Sequence, residues 1–287
     1  MMAMKKVLLF FCLFFFAESS DAQTLRTICS LPAIVEETSG IAATDKNKVW
    51  TLNDSDGEPA LYLCDTLGNL LRTVVITGAW NRDWEDLTQD DDGNFYIANI
   101  GNNLNDSKDL SIFKIPNPDK ISGNSIAAQV IYYSYEDQKE FPPADTAMNF
   151  DCEALVWLRG SLYLFSKNRT DPFDGKTHLY QLSDSPGKYV ARKIASFNTG
   201  GDDLFNYWIS SAALSPDKSK LVLLSSNKMW LFTNFAGDDF FKGKNTMIRF
   251  PSSTQKEAIC FVSNHEVYIT DELFRGVGRQ LYSMVLK

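Results

Sequence analysis

One motif recurs along this chain and limits the folds that it can adopt. Residues 83–103 contain a glutamate, Glu85, then a short strand-like stretch, a tight acidic turn and a second apolar stretch that runs into Asn and Gly residues. Segments with the same plan begin near residues 39, 153, 211 and 257. Repetition of one small unit is typical of repeat architectures, and units of four short strands are typical of β-propellers.

The two ends of the chain indicate how such a ring would close. Each unit continues past its first hairpin with two more apolar stretches, such as 61–64 and 71–76. The last unit lacks a fourth stretch, whereas residues 25–29 supply a spare one before the first unit. Pairing the two would remove an exposed strand edge. The pattern predicts an all-β propeller of five four-stranded blades, closed by the N-terminal strand. A ring of six blades is the alternative, if the interval between residues 85 and 153 contains a further unit.

The first 22 residues have the pattern of a secretory signal peptide. Two lysines precede an apolar run over residues 7–16, and small residues stand at the cleavage position after residue 22. The run is too short to span a bilayer. The sequence therefore predicts a signal peptide over 1–22 and a single propeller domain over 23–287. We expect a soluble monomer, secreted or periplasmic, with no insertion into a membrane.

The net charge limits the expected partners, and the cysteine spacing limits the expected metal sites and disulfides. The formal net charge is −8, which does not suggest a nucleic-acid or anionic-membrane partner. Four cysteines follow the leader, Cys29, Cys64, Cys152 and Cys260, without metal-binding spacing. Export permits disulfides, but the four occupy non-equivalent places in the repeat, which favours buried free thiols.

Polar residues recur at two places in each unit that a propeller brings to one face. The inner strand of a blade is antiparallel to the second strand, so the start of one and the end of the other meet at the same end of the channel. Carboxylates precede or start the inner strands at Glu37, Glu85, Glu153 and Glu257. Polar groups end the second strands at Asn53, Asp54, Asn99, Asn102, Asn103, Lys167, Asn168, Arg169, Asn227, Lys228, Asp271 and Glu272. We expect a carboxylate-lined mouth there.

Three roles stay open for the repeated glutamates. Converging carboxylates raise one another's pKa unless a cation lies between them, and oxygen ligands in a chain with two histidines suit Ca²⁺ better than zinc. Alternatively, buried carboxylates could bind backbone N–H groups of the next blade and lock the blades together, or act directly in catalysis. The Asp90–Asn94 run resembles a calcium loop but lacks EF-hand spacing, so we predict a hairpin turn.

The region around Glu85 differs from its sibling units. Asp83 precedes it, and Trp80, Arg82 and Trp84 make this the richest polar and aromatic cluster in the chain. Lys167 and Arg169 add cations to the mouth, which suits an anionic group bridged through a metal. The residues predicted to bind a ligand are Glu37, Asp54, Arg82, Asp83, Trp84, Lys167, Arg169 and Glu257.

Several of these segments resemble a known group of proteins. The segments are Glu37-Thr38-Ser39-Gly40-Ile41, Trp50 with Asn53-Asp54-Ser55, Asp83-Trp84-Glu85-Asp86, residues 96–103 and Glu153-Ala154-Leu155. They resemble exported bacterial β-propeller proteins of unassigned function over most of residues 37–170. More remotely, the chain is similar to phytase-like and gluconolactonase/regucalcin-like propellers. That resemblance implies a calcium ion at the channel mouth, held by Glu85, Glu153 and Asp271.

Two classes of function follow from this sequence. The chain lacks a Gly-x-Ser-x-Gly elbow, an HExxH motif and a Cys/His pair, which favours an exported binding or scaffold protein over an enzyme. Its ligand at the mouth would be a small molecule, a glycan or a protein. The alternative is a metal-dependent hydrolase of phosphate esters or lactones. In either case we expect Ca²⁺ between carboxylates, with Asn53 or Asn102 contributing neutral oxygens.

Overall fold

The computed structural model describes residues 24–55, 57–201 and 203–286. The signal peptide predicted over 1–22 lies outside these residues. Within them the chain forms 21 β-strands, one α-helix of four residues and four 3₁₀ turns, which confirms the all-β prediction. None of the helices in this part of the chain is long and apolar enough to cross a membrane.

The strands group into five antiparallel units of four, called blades 1 to 5. Blade 1 comprises β2 (Thr38–Asp45), β3 (Lys48–Asn53), β4 (Ala60–Asp65) and β5 (Leu70–Thr77). Blade 2 comprises β6 (Trp84–Gln89), β7 (Phe95–Asn99), β8 (Ser111–Ile115) and β10 (Gln129–Tyr135). Blade 3 comprises β11 (Asp151–Leu158), β12 (Ser161–Lys167), β13 (Lys176–Ser183) and β14 (Gly187–Asn198). Blade 4 comprises β15 (Ser211–Leu214), β16 (Lys220–Ser225), β17 (Lys228–Thr233) and β18 (Lys244–Arg249).

Blade 5 joins the two ends of the chain. It comprises β19 (Lys256–Ser263), β20 (Glu266–Asp271), β21 (Gln280–Val285) and the N-terminal strand β1 (Arg26–Ser30). Strand β1 pairs antiparallel with β21, from Arg26 opposite Ser283 to Ser30 opposite Gln280. The predicted closure by the N-terminal strand is confirmed.

The remaining elements connect the blades. The short strand β9 (Ser125–Ala127) extends blade 1 by parallel pairing with β5, and β10 pairs in parallel with β14, so the outer edges of blades 2 and 3 join. The helix α1 (Leu204–Tyr207) precedes blade 4. The 3₁₀ turns lie at Ala33–Val35, Pro118–Lys120, Asp145–Ala147 and Phe240–Lys242. Within the described residues, the long interval from 85 to 153 holds β7 to β10 and their connections.

The core lies between successive blades. Five apolar clusters fill the five junctions, for example Trp50, Trp84 and Phe113 between blades 1 and 2. The residues of the cluster between blades 5 and 1, such as Val49 and Tyr268, are buried like those of the other clusters. Each blade therefore buries both faces of its sheet, which explains why β3, β7 and β12 are buried along almost their whole length. The inner strands contact one another in order around the ring, and β19 contacts β2.

Two further sequence predictions can be compared with this fold. The four cysteines among the described residues are free thiols, and three of them are buried. The Asp90–Asn94 segment is a turn, in which the Asp90 carboxylate accepts hydrogen bonds from Asp92 N, Asn94 N and Asn94 Nδ2. Because that carboxylate closes its own turn, it is already provided with partners.

Candidate functional site

Three of the repeated glutamates occupy one structural position. In β6, β11 and β19 the pairing with the second strand is interrupted by a bulge, and the extra residue is Glu85, Glu153 or Glu257. A β-bulge turns the extra side chain out of the normal alternation and is common beside functional sites. The bulge aims each carboxylate at the channel mouth, where all three line one cavity of about 110 Å³.

Blade 1 departs from this pattern. Its bulge residue is Ser39, between Thr38 and Gly40, and the Ser39 hydroxyl donates a hydrogen bond to Trp84 O. Glu37, which the sequence suggested as the fourth member, lies two residues earlier and is exposed. The structure therefore does not bring Glu37 into the cluster, although its carbonyl accepts a hydrogen bond from Asp54 N.

A second set of charged residues follows the second strands. Asp54 comes directly after β3, Lys167 ends β12 and Glu272 comes directly after β20. All three line the same cavity as the bulge glutamates. Successive side chains of a strand point to opposite faces, so the residues directly before and after each of these three do not share its surroundings.

The closest convergence is formed by Asp54, Asp83 and Glu85. One carboxylate oxygen from each lies within 4.8 Å of the others, so the three could together hold a metal ion. The side chain of Asn81 donates to Asn53 O at 3.1 Å and to Asp54 O at 2.5 Å, which ties blade 1 to the blade 2 segment. These bonds position carboxylates from two blades on a common point.

Gly101 makes room for two members of this trio. A Cβ atom built at Gly101 would overlap the carboxylate of Asp83 and Oε1 of Glu85. Asn99 fixes the backbone that carries Asp83, because its amide oxygen accepts hydrogen bonds from Arg82 N and Asp83 N. The segment from Asn99 to Gly101, at the end of β7, thus shapes the space in which the carboxylates meet.

The trio is short of hydrogen-bond donors. Glu85 is only 5% exposed, yet its carboxylate takes part in none of the hydrogen bonds or ion pairs within the described residues. Asp54 Oδ1 is also buried without a partner, as is Glu257 Oε2. A buried carboxylate oxygen without a partner is costly, so these oxygens require a proton or a cation.

The other side of the mouth carries its own cations. Lys167 forms an ion pair with Glu153, and Arg169 pairs with Asp151 at 2.6 Å and with Glu153 at 3.4 Å. Both cations lie over the ring of Trp208, at 5.0 and 4.7 Å from its centre. Glu153 is thereby satisfied within the protein, unlike Glu85.

Burial sets the protonation of the mouth. Burial, followed by the neighbouring Asp83, raises the pKa of Asp54 to about 7. Burial and the nearby glutamate Glu153 raise the pKa of Glu85 well above its usual value. Burial, with Glu257 and Asp54, raises the pKa of Glu272 to about 10. Without a cation, this cluster therefore retains protons at neutral pH.

The predicted site residues fall into two groups. Those brought together at the mouth are Asp54, Asp83, Glu85, Glu153, Lys167, Arg169 and Glu257. Asn53 lies beside Asp54; its Nδ2 donates to Ile34 O, and its Oδ1 is buried without a partner.

The remaining predicted residues have other surroundings. Asp271 accepts hydrogen bonds from Gln280 N and Tyr282 Oη inside blade 5, and the next residue, Glu272, reaches the mouth instead. The Asn102 side chain donates a hydrogen bond to Phe150 O and accepts one from Ser107 N in its own loop. Trp84 is buried in the core between blades 1 and 2, and Arg82 pairs with Asp109.

Asp86 is a buried residue that the sequence reasoning missed. Its carboxylate accepts hydrogen bonds from Leu155 N at 2.8 Å, in the next blade, and from the Ser211 hydroxyl at 3.2 Å, in blade 4. Ser211 in turn accepts from Ile259 N in blade 5. The role of a carboxylate that locks blades through backbone N–H groups therefore belongs to Asp86. The sequence feature that could have indicated this role is the position of Asp86 directly after the repeated glutamate Glu85.

Comparison with known proteins supports the fold. No family model matches the chain, and no curated protein matches it. The chain is similar to the PQQ-bound aldose sugar dehydrogenase of Streptomyces coelicolor, with a TM-score of 0.54 and 10% identity, covering 91% of this chain and 98% of that one. It is also similar to a structural genomics protein of unknown function from Bacteroides thetaiotaomicron, with a TM-score of 0.50 and 11% identity, covering 92% and 76%. These similarities confirm the β-propeller fold.

Proposed function

We propose that this protein is an exported β-propeller that binds Ca²⁺ at its channel mouth and serves as a binding module there. The observation that carries the proposal is the trio of Asp54, Asp83 and Glu85, whose oxygens lie within 4.8 Å of one another. Carboxylate oxygens from separate chain segments are the ligands that hard divalent cations prefer. The donor set contains no histidine or cysteine, which argues against zinc or copper.

The pattern of hydrogen bonds supports a cation over a purely structural role. A carboxylate that locks blades needs backbone N–H partners, and Asp86 has them. Glu85 is nearly as buried but has no such partner among the described residues. Asp54 Oδ1 is in the same condition. A cation at the trio would supply what these oxygens lack.

The sequence resemblance supports the choice of calcium. The remotely similar phytase-like and gluconolactonase/regucalcin-like propellers hold calcium at the corresponding mouth. In this chain the ligand set would be Asp54, Asp83 and Glu85, with the cavity residues Glu257 and Glu272 near enough to add charge. Glu153 is less suited, because Lys167 and Arg169 already neutralise it.

The direct test is calcium binding to the mature protein after a chelator has removed metal. Isothermal titration should show one site in the wild type and a loss of at least tenfold in affinity for Glu85→Gln and Asp54→Asn. Glu37→Gln is the matched control, since Glu37 lies on the same face but is exposed and outside the cluster. Absence of calcium binding by the wild type would refute the proposal.

A hydrolase is the second candidate, and one arrangement favours it. Lys167 and Arg169 line the same small cavity as Asp54 and Glu85, so an anionic substrate group could contact both the cations and a bound metal. Phosphomonoesters, phytate and lactones should be tested as substrates with calcium and with chelator. Calcium-dependent turnover that Glu85→Gln abolishes would replace the binding function by this one.

A further inference from the structure

A second cavity opens directly beside the channel mouth. Its volume is about 380 Å³, and Lys167, Gln255 and Glu257 line both it and the mouth. Its walls come from the connection before blade 4, which includes α1, from the segment that leads into blade 5 and from the loop after β20. We call it the aromatic cavity, because Phe205, Trp208 and Phe274 line it.

Two of these aromatic side chains are unusually exposed. Phe205 is 70% exposed and Phe274 is 55% exposed. Phe205 packs against Trp208 with ring centres 5.1 Å apart, and the backbone of Phe274 is fixed by hydrogen bonds with Val277. Positioned aromatic rings that face an open cavity provide flat apolar surface for a ligand.

The polar part of the cavity consists mainly of hydrogen-bond acceptors. The Ser210 hydroxyl donates to Lys256 O, and the Ser226 hydroxyl donates to Phe205 O, so their lone pairs are left to accept. Glu257 also lines the cavity and adds carboxyl oxygens to it. A ligand that fits here must therefore supply O–H or N–H donors.

The charges of the lining favour a neutral ligand. Lys256 Nζ is surrounded by Thr254 Oγ1 at 2.7 Å and by Ser226 O and Ser252 O at 3.3 Å. Lys167 is paired with Glu153. Because the protein already satisfies both ammonium groups, the cavity offers no free cation to an anionic ligand. The two lysines also disfavour a cationic ligand.

We propose that the aromatic cavity binds a neutral saccharide. A pyranose ring has an apolar C–H face, which suits Phe205 and Phe274, and an edge of hydroxyl groups, which can donate to Ser210 and Ser226. The proposal deepens the binding function proposed above and rests on it. It does not depend on the calcium ion, because none of the trio residues lines this cavity.

The test is an array of neutral oligosaccharides, followed by titration of the best-bound sugar into the mature protein. We expect binding by the wild type and a loss of about tenfold for Phe205→Ala and for Phe274→Ala, about what one ring contact contributes. Val277→Ala is the matched control, because Val277 is 61% exposed in the same loop but does not line the cavity. It should change the affinity less than twofold.

Three outcomes would overturn the saccharide proposal. They are no binding of any neutral sugar, equal losses in Val277→Ala and Phe274→Ala, and a preference for peptides or charged ligands at the same residues. Calcium titration of the same samples separates this proposal from the cation site. If calcium binds and sugars do not, the saccharide proposal fails alone. If sugars bind and calcium does not, the cation site fails alone.

Discussion

Calcium should stabilise this propeller, and the mouth should lose that response when Glu85 loses its charge. The perturbation is Glu85→Gln in the mature chain, compared with the wild type after metal removal by chelator. Glu85 is 5% exposed and close to two other carboxylates, so the substitution removes the charge that Glu85 would carry with calcium bound and changes the volume little.

The magnitude follows from mass action and from Coulomb repulsion. Calcium at a hundredfold excess over its dissociation constant should add about 2.7 kcal/mol to the free energy of unfolding. For a domain of this size that raises the Tm by roughly 5–10 °C. Two ionised carboxylates at the 4.8 Å limit would repel by about 3.5 kcal/mol at an effective dielectric constant of 20, which is why the metal-free cluster keeps protons. Because the raised pKa keeps Glu85 protonated and neutral without metal, metal-free Glu85→Gln should be about as stable as the metal-free wild type.

The assay is thermal unfolding followed by circular dichroism, with and without calcium. We expect the wild type to gain several degrees and Glu85→Gln to gain almost nothing, while Glu37→Gln behaves like the wild type. The reasoning is wrong if calcium leaves the Tm of the stripped wild type unchanged. It is also wrong if Glu37→Gln loses the response as fully as Glu85→Gln.

Four further predictions test other parts of the structure. The pKa of Asp54 is raised to about 7 in the folded protein, so the free energy of unfolding of the metal-free protein should fall as pH rises from about 4 to about 7. Calcium affinity should increase over the same range, because the cation competes with the bound proton. Urea titrations at several pH values measure the stability, and calorimetry measures the affinity. Gly101→Ala should weaken calcium binding at least tenfold because a Cβ there overlaps Asp83 and Glu85, and unchanged affinity would contradict that packing. Asp86→Ala should cost about 1–3 kcal/mol of unfolding free energy by leaving Leu155 N unpaired, whereas Asp86→Asn, which keeps an acceptor oxygen, should cost less. Deleting residues 24–30 removes β1 and its ladder to β21, so urea unfolding should show a loss of about 2–4 kcal/mol, and an unaltered midpoint would argue against closure by this strand.

Much of the fold could be predicted because it depends on local pattern. Alternating apolar stretches specify strands, and a missing strand at one end with a spare strand at the other specifies how the ring closes. The convergence at the mouth also follows from antiparallel pairing. For this reason Glu85, Glu153 and Glu257 were correctly placed on one face, although they come from three blades.

Which carboxylates at the mouth are paired with cations depends on spatial neighbours that no local sequence pattern reveals. Glu85 and Glu153 occupy equivalent bulges, but Glu153 meets Lys167 and Arg169 whereas Glu85 meets Asp54 and Asp83. One is therefore satisfied and the other requires a cation or a proton.

Neighbouring residues in the sequence were distinguished only by tertiary structure as well. Asp271 and Glu272 are adjacent carboxylates, but the first is held inside blade 5 and the second lines the mouth. Glu85 and Asp86 are divided in the same way, one in the mouth and one locking the blades. Side chains of successive strand residues point to opposite faces, so a bulge of one residue reassigns them. The sequence by itself determined the propeller, its closure and the face that carries the carboxylates. Which carboxylates remain without a partner was decided by packing between blades, because that depends on distances between residues far apart in the chain.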